Sequence, residues 1–366
     1  MSGILFKIRK IFEQNIRNVN PHFTIFPILK IGFDKYGKTL AISAKICYNY
    51  RCIIFLFKRE QDMLYFFLAL LALLFWSGSD LFSKIGSKPG DKYSHWEMVM
   101  AVGLIMGLHA MYEIFIGGVS VTFTDIIKYL PASFCYILSM ILGYVGLRYI
   151  ELSISSPVCN SSGAIAWILC LIFIPGTDTG ILNVSGVILV CAGVIVLGIV
   201  EYKENDEARE LRQKKANVKY AFSPLAIALP ILYCILDAAG TFTDTLILGN
   251  WLEEEVANVA YELTFLFMGI VAFIYVVIIK KSPLKIKRDA PKLVGGICET
   301  IGQFFYIFVV GSEFRAGIPM ISAYCAVSMI WGRIFLKEKL SWKHYISIAV
   351  IVAGIIVLGI SEMLAE

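Results

Sequence analysis

Glu299, Gln303 and Tyr306 fall at i, i+4 and i+7 within ETIGQFFY, so a helix there carries a carboxylate, an amide and a phenol on one face. The residues around them are apolar. An ionisable group in hydrocarbon costs several kcal/mol when exposed to lipid, so it faces a protein interior or a watery cavity. There a carboxylate can hold a charged solute or exchange a proton against one. The plainer reading is a structural hydrogen bond to a neighbouring helix, and it stays beside the first.

Asp237, Thr241 and Asp244 repeat the same spacing. Asp80 is their counterpart in the first apolar stretch, and it precedes Lys84 by four residues, which favours an interfacial ion pair over a role in a site. In PVCNSSGAIAW, Pro157, Asn160, Ser161, Ser162 and Gly163 can break a helix and present backbone and amide groups to a ligand, and Pro319, Ser322 and Tyr324 stand in the equivalent later place. Tyr144 is the earlier match of Tyr306. Glu97 and Glu262 read as first-turn carboxylates, favoured by the helix dipole and by headgroup water, with a place in the same cavity as the further expectation. Trp76 and Tyr233 precede Asp80 and Asp237 at equal distances, and an aromatic beside a carboxylate suits a cationic or ring-bearing solute.

Other chemistries find little support. The four histidines are scattered, and His109 with Glu113 at i, i+4 lacks a third metal ligand. The nine cysteines form no CxxC pair and read as small apolar residues. No phosphate-binding GxxxxGK[ST] sequence occurs, so ATP-driven movement is not encoded in this chain. Neither a cofactor nor a metal is expected.

The elements that must position these residues follow from composition. Of 366 residues, 58% are hydrophobic and 17% charged, against roughly a quarter charged in a soluble domain. The net charge of +5 lies in short basic clusters between apolar runs, not along one polar face, which argues against nucleic acid and for a lipid bilayer. Ten stretches approach the ~20 apolar residues that cross a bilayer as a helix: 63–85, 95–117, 126–148, 154–174, 181–200, 224–248, 256–279, 290–311, 316–336 and 342–361. Gly103 and Gly107, and later Gly193 and Gly198, read as helix-packing positions.

VCAGVIVLGIVE (190–201) and IVAGIIVLGISE (351–362) agree at eight of twelve positions, which marks a duplication. At one offset Pro157 matches Pro319, Glu151 matches Glu313 and Tyr144 matches Tyr306; more loosely Glu97 matches Glu262 and Asp80 matches Asp237. Five spans per half is an odd number, so the second half enters the membrane in the opposite sense, an arrangement that recurs in secondary transporters. The expected organisation is a basic N-terminal extension (1–62), a first five-helix repeat (63–201), a polar linker (202–222) that suits a short surface helix or a solvated segment, and a second five-helix repeat (223–366).

At this point the chain resembles the drug/metabolite transporter superfamily, specifically its EamA-like ten-helix members. The resemblance spans about 63–362 and rests on the 5+5 arrangement, the apolar-glycine endings of the fifth and tenth spans, and FLKEKLSW at 335–342. That segment is similar to the family's Phe-Leu-Gly-Glu motif, with Glu338 on the family glutamate and Lys337 in place of the glycine. FIPGTDTG at 173–180 lacks a glutamate altogether.

Lys and Arg cluster after spans 1, 3, 5, 7 and 9, with Lys128 and Arg315 as exceptions beyond residue 62. By the positive-inside rule those turns are cytoplasmic and the C-terminus lies outside. The family commonly has both ends inside, and a flipped member or a miscounted span each reconciles the two. The first 62 residues read either as a segment upstream of a chain beginning at Met63 or as a membrane-surface tail using Lys7, Arg9, Lys10 and Arg17.

The resulting expectation is an all-α membrane protein of about ten helices in two inverted five-helix repeats. It would be a plasma (inner) membrane secondary transporter of a small metabolite, amino acid or drug-like solute, exchanging protons through Glu299, as monomer or homodimer. A membrane receptor or scaffold is the alternative, with an intramembrane enzyme behind both.

Overall fold

The computed structural model describes residues 64–174, 180–223, 226–248, 250–310, 321 and 323–365. Tyr65–Ile114 and Val119–Glu366 form one compact unit, to which the following applies. The 1–62 extension, together with Glu313, Arg315, Pro319 and Ser322, lies outside the described residues.

Uninterrupted apolar sequence with a hydrogen bond available to every backbone group only within the helix produces long helices and little else. In chain order these are α1 (Leu64–Gly86), α2 (Ser94–Tyr112), α3 (Phe123–Gly146), α4 (Leu152–Cys159), α5 (Ser162–Phe173), α6 (Ile181–Lys203), α7 (Asp206–Gln213), α8 (Ala228–Ile247), α9 (Glu254–Phe273), α10 (Ile286–Val310), α11 (Tyr324–Ile334) and α12 (Trp342–Ala365). Apart from an isolated bridge between Leu248 and Leu252, no strand pairing occurs among the described residues.

Seven of these segments are long and apolar enough to cross a membrane: Leu64–Gly86, Ser94–Gly117, Phe123–Gly146, Leu152–Phe173, Ile181–Lys203, Glu254–Ile279 and Trp342–Ser361. α8, α10 and α11 are not among them. α8 carries Asp237, Asp244 and three threonines, α10 begins with a charged turn, and α11 is short among the described residues. Outward faces carry large apolar side chains, such as Ile181, Ile188 and Ile195 of α6.

Local sequence accounts for the helix limits. Thr122 and Asp125 make a reciprocal capping box at the start of α3. After Pro157 the chain turns at Asn160–Ser161, dividing α4 from α5. Helices pair α2 with α9, α3 with α8, and α6 with α12. Glycine permits the closest crossings: a Cβ at Gly103 would stand 2.6 Å from the Phe265 carbonyl oxygen and 3.1 Å from Gly269 Cα. Gly198, expected to pack in the same way, has nothing within 4 Å.

The linker 202–222 is anchored, not merely solvated. α6 runs on to Lys203, Asn205 caps α7, and Arg209 and Arg212 turn inward to 8% exposure each. Arg212 meets Glu151 at 2.8 Å, Glu201 at 2.8 Å and Glu204 at 2.7 Å, while His344 Nε2 lies 2.8 Å from Glu201.

Candidate functional site

Within this bundle α1, α3, α4, α8, α9, α10 and α11 surround a cavity of about 480 Å³. Its wall is built from helical faces of spacing i, i+4, i+7. α10 contributes Glu299, Gln303 and Tyr306, and α8 contributes Asp237, Thr241 and Asp244. A third stripe, Glu254, Asn258 and Tyr261 of α9, has the same spacing and was legible in the sequence, yet it escaped notice because Glu254 begins its helix.

The cavity carboxylates Asp80, Asp237, Asp244 and Glu299 are held by neutral donors. Asp80 accepts from Ser156 of α4 at 2.5 Å and Ser328 of α11 at 2.7 Å. Asp237 accepts from Ser162 of α5 at 2.6 Å and more distantly from Ser139 of α3 at 3.4 Å. Asp244 accepts from the Tyr129 hydroxyl at 2.7 Å, and Ser79 lies in hydrogen-bonding reach of Glu299. Gln303 donates to Asn258 at 3.2 Å, and Tyr136 to Thr241 at 3.3 Å. Trp76 sits against Tyr306 and Tyr324, with ring centroids 5.0 and 5.6 Å apart, which makes an aromatic wall beside Asp80 and Glu299.

Of the residues singled out in the sequence, Glu299, Gln303, Tyr306, Asp237, Thr241, Asp244, Asp80, Asn160, Tyr144, Tyr324, Trp76 and Tyr233 line this cavity. Ser161, Glu97 and Glu262 do not. Ser161 is 2% exposed and spends its hydroxyl on the Pro157 carbonyl at 2.8 Å. Glu97 is buried against Lys292 and lies 2.5 Å from Arg288, away from the cavity. Glu262 stands nine residues into α9, not in its first turn, and binds His109 Nδ1 at 2.8 Å. Both glutamates thus have basic partners on other helices, which spacing along one helix does not reveal.

Asp80 also departs from its expected role. Lys84, four residues on, does not pair with it; its ammonium instead donates to the carbonyls of Leu147 and of Ile150, the latter at 2.9 Å. Those oxygens belong to the end of α3 and the turn after it, where carbonyls lack helical partners and carry partial negative charge. Asp80 is left to the serines and the cavity. Tyr129, Tyr136 and Asn258 are lining residues that the sequence reading missed, and Asp244 one that it noted only as part of a stripe.

No protein-family model matches this chain, and no curated protein matches it. Function therefore rests on the site.

Proposed function

We propose that this protein is a secondary transporter that moves a small metabolite, amino acid or drug-like solute across the plasma membrane by alternating access, with Glu299 exchanging protons against it. The observation that carries this reading is the convergence of Asp80, Asp237 and Glu299 from α1, α8 and α10 on one cavity beside the broken helix α4–α5. Broken helices flanking a polar cavity at membrane depth are a recurrent way to bind solutes there.

Ten spans in two inverted five-helix repeats fit this reading once α8, α10 and α11 are added to the seven apolar segments. α8 and α10 carry Asp237, Thr241, Asp244, Glu299 and Gln303 of the polar lining, and α11 is short among the described residues. Reciprocal packing supports the duplication: a Cβ on Gly193 would meet Ile351 at 2.6 Å, and one on its repeat mate Gly354 would meet Val190, the mate of Ile351, at 2.7 Å. Asp80 of the first half binds Ser328 of the second, and Asp237 of the second half binds Ser139 and Ser162 of the first. Membership of the EamA-like drug/metabolite transporters is part of the same proposal, and Glu338 is the residue that ties the chain to the family pattern.

The test is uptake into proteoliposomes under an imposed pH gradient. The wild-type protein should couple solute flux to proton movement, and Glu299→Gln should retain solute exchange while losing acceleration by the gradient. Full coupling in Glu299→Gln removes that residue from the mechanism. Binding without flux across a broad solute panel would instead identify a receptor or scaffold.

A further inference from the structure

The charge balance of the cavity narrows what it can hold. Asp80, Asp237, Asp244, Glu254 and Glu299 all line it, and no Lys, Arg or His does so among the described residues. The hydrogen-bond partners of Asp80, Asp237 and Asp244 are serine and tyrosine hydroxyls, which orient a carboxylate without neutralising it. Charge enclosed by the protein without a counter-ion is costly, so the charge that balances the half-buried Asp80, Asp237, Asp244 and Glu299 must come from a ligand or from protons, whereas Glu254 is exposed.

A second observation points to a ligand independently of the acids. Tyr144 is 6% exposed, lines the cavity, and has a buried hydroxyl with no hydrogen-bond partner. Its phenolic oxygen lies within the electrostatic reach of Glu299 and Asp80 and can accept an N–H from a cation placed between them. The rings of Trp76, Tyr306 and Tyr324 flank the same end and offer π faces to such a cation.

The acids are also spread along the cavity. Asp237 and Asp244 lie seven residues apart on one face of α8, so about 10 Å of helix rise separates them. Asp80 is held by Ser156 of α4 and Asp237 by Ser162 of α5, on opposite sides of the Asn160–Ser161 turn. Glu254 stands near Asp244 at the far end. A compact monocation can satisfy one of these stations at a time, whereas a linear chain with amines several methylenes apart can satisfy two or three.

We infer that the cavity binds an elongated organic polycation of the linear aliphatic di- or polyamine class, its ammonium groups at two or more of the stations Asp80–Glu299, Asp237 and Asp244 and its methylene stem along the aromatic lining. This deepens the transport reading, on which it rests only for passage across the membrane.

Thermal unfolding of the purified full-length protein in detergent tests it with spermidine, putrescine, butylamine and glutamate as probes. Spermidine is expected to raise the unfolding temperature and to bind at least about tenfold more tightly than butylamine, as one additional charge-assisted hydrogen bond implies. Glutamate should have no effect. Asp237→Asn and Asp244→Asn should each weaken spermidine by about tenfold, and Asp244→Glu should recover most of the loss. Equal binding of butylamine and spermidine, stabilisation by glutamate, or wild-type affinity in both Asn variants overturns the inference. In proteoliposomes, bound spermidine that never crosses removes the transport reading and leaves the cation site. Flux of another solute that saturating spermidine does not inhibit does the reverse.

Discussion

Asp91, in the turn between α1 and α2, sets the residue-scale problem of charge at the edge of an apolar bundle. Burial pushes its carboxyl up, but hydrogen bonding and charge from Lys292, with the charge of Arg288, outweigh this and hold it below the usual carboxylate range. Lys292 Nζ is 3.0 Å away and itself 1% exposed, while Arg288 lies at 3.5 Å. A carboxyl depressed by folding stabilises the protein above its unfolded value of about 4 and loses that contribution as pH falls through the folded value. Asp91→Asn should therefore lower stability by about 1–2 kcal/mol at pH 7, from the loss of a charged hydrogen bond. The gap between wild type and variant should close in thermal unfolding as pH drops below 4, and a constant gap down to pH 3 would contradict this account. The same cluster explains what was legible and what was not. Glu299 and Asp237 stood out because isolated acids in apolar runs must find an interior, whereas Asp80 read as a partner of Lys84, whose ammonium goes instead to the carbonyls of Leu147 and Ile150. The fate of Glu97 depended on Lys292, nearly two hundred residues away, and that of Glu262 on His109 of another helix. Nothing in the local sequence of either glutamate separates a sealed ion pair from a cavity wall.

At the scale of elements, helix crossings depend on which glycines meet backbone. A Cβ on Gly103 would fall 2.6 Å from the Phe265 carbonyl oxygen and 3.1 Å from Gly269 Cα, and backbone of a paired helix cannot rotate aside. Gly103→Ala should force α2 from α9 and cost about 1–3 kcal/mol as an overpacked contact. Gly198→Ala, with nothing within 4 Å of its new methyl group, should be neutral or gain about 0.5–1 kcal/mol from helix propensity. Unfolding of the two variants in detergent separates them, and equal effects would contradict the crossing geometry. The sequence marked both glycines alike. A small-residue pattern shows where helices can approach, but only the partner's position shows where they do. The long helices themselves were readable from hydropathy to within a few residues. The division of α4 from α5 was legible too, through Pro157, Asn160 and Ser161. The inward turn of Arg209 and Arg212 was not, because a mixed-charge linker has the same composition whether it is solvated or anchored.

At the scale of the whole compact unit, one end of the cavity is shut by segments from both halves of the sequence. Leu147 and Leu152 line the cavity and pack with Leu81 and Leu336 in a buried cluster. Over them the Tyr220 ring covers the Lys84 ammonium at 4.0 Å, and its hydroxyl donates to Glu338 at 2.9 Å. Glu338 in turn accepts from the backbone N–H groups of Leu152 at 2.9 Å and Ser153 at 3.0 Å, the free donors at the start of α4. Asn217 N–H reaches the Leu336 carbonyl at 2.7 Å, and Ala221 N–H the Arg148 carbonyl at 2.9 Å, so the linker is bonded into the same seal. If transport proceeds by alternating access, this seal must open in the other state, and Glu338 is where opening costs most, because it satisfies two helix N–H groups, a phenol and a serine hydroxyl at once. Glu338→Gln keeps the shape and removes the charge, worth about 1.5–3 kcal/mol for hydrogen bonds to an ionised group, which shifts a two-state balance by about tenfold or more. With the native cysteines replaced and Ser155→Cys as reporter, a membrane-impermeant maleimide should label the cavity about tenfold faster in Glu338→Gln, and only from the side on which the seal lies. Faster labelling from both sides, or none, would mean that Glu338 holds the start of α4 without gating the cavity.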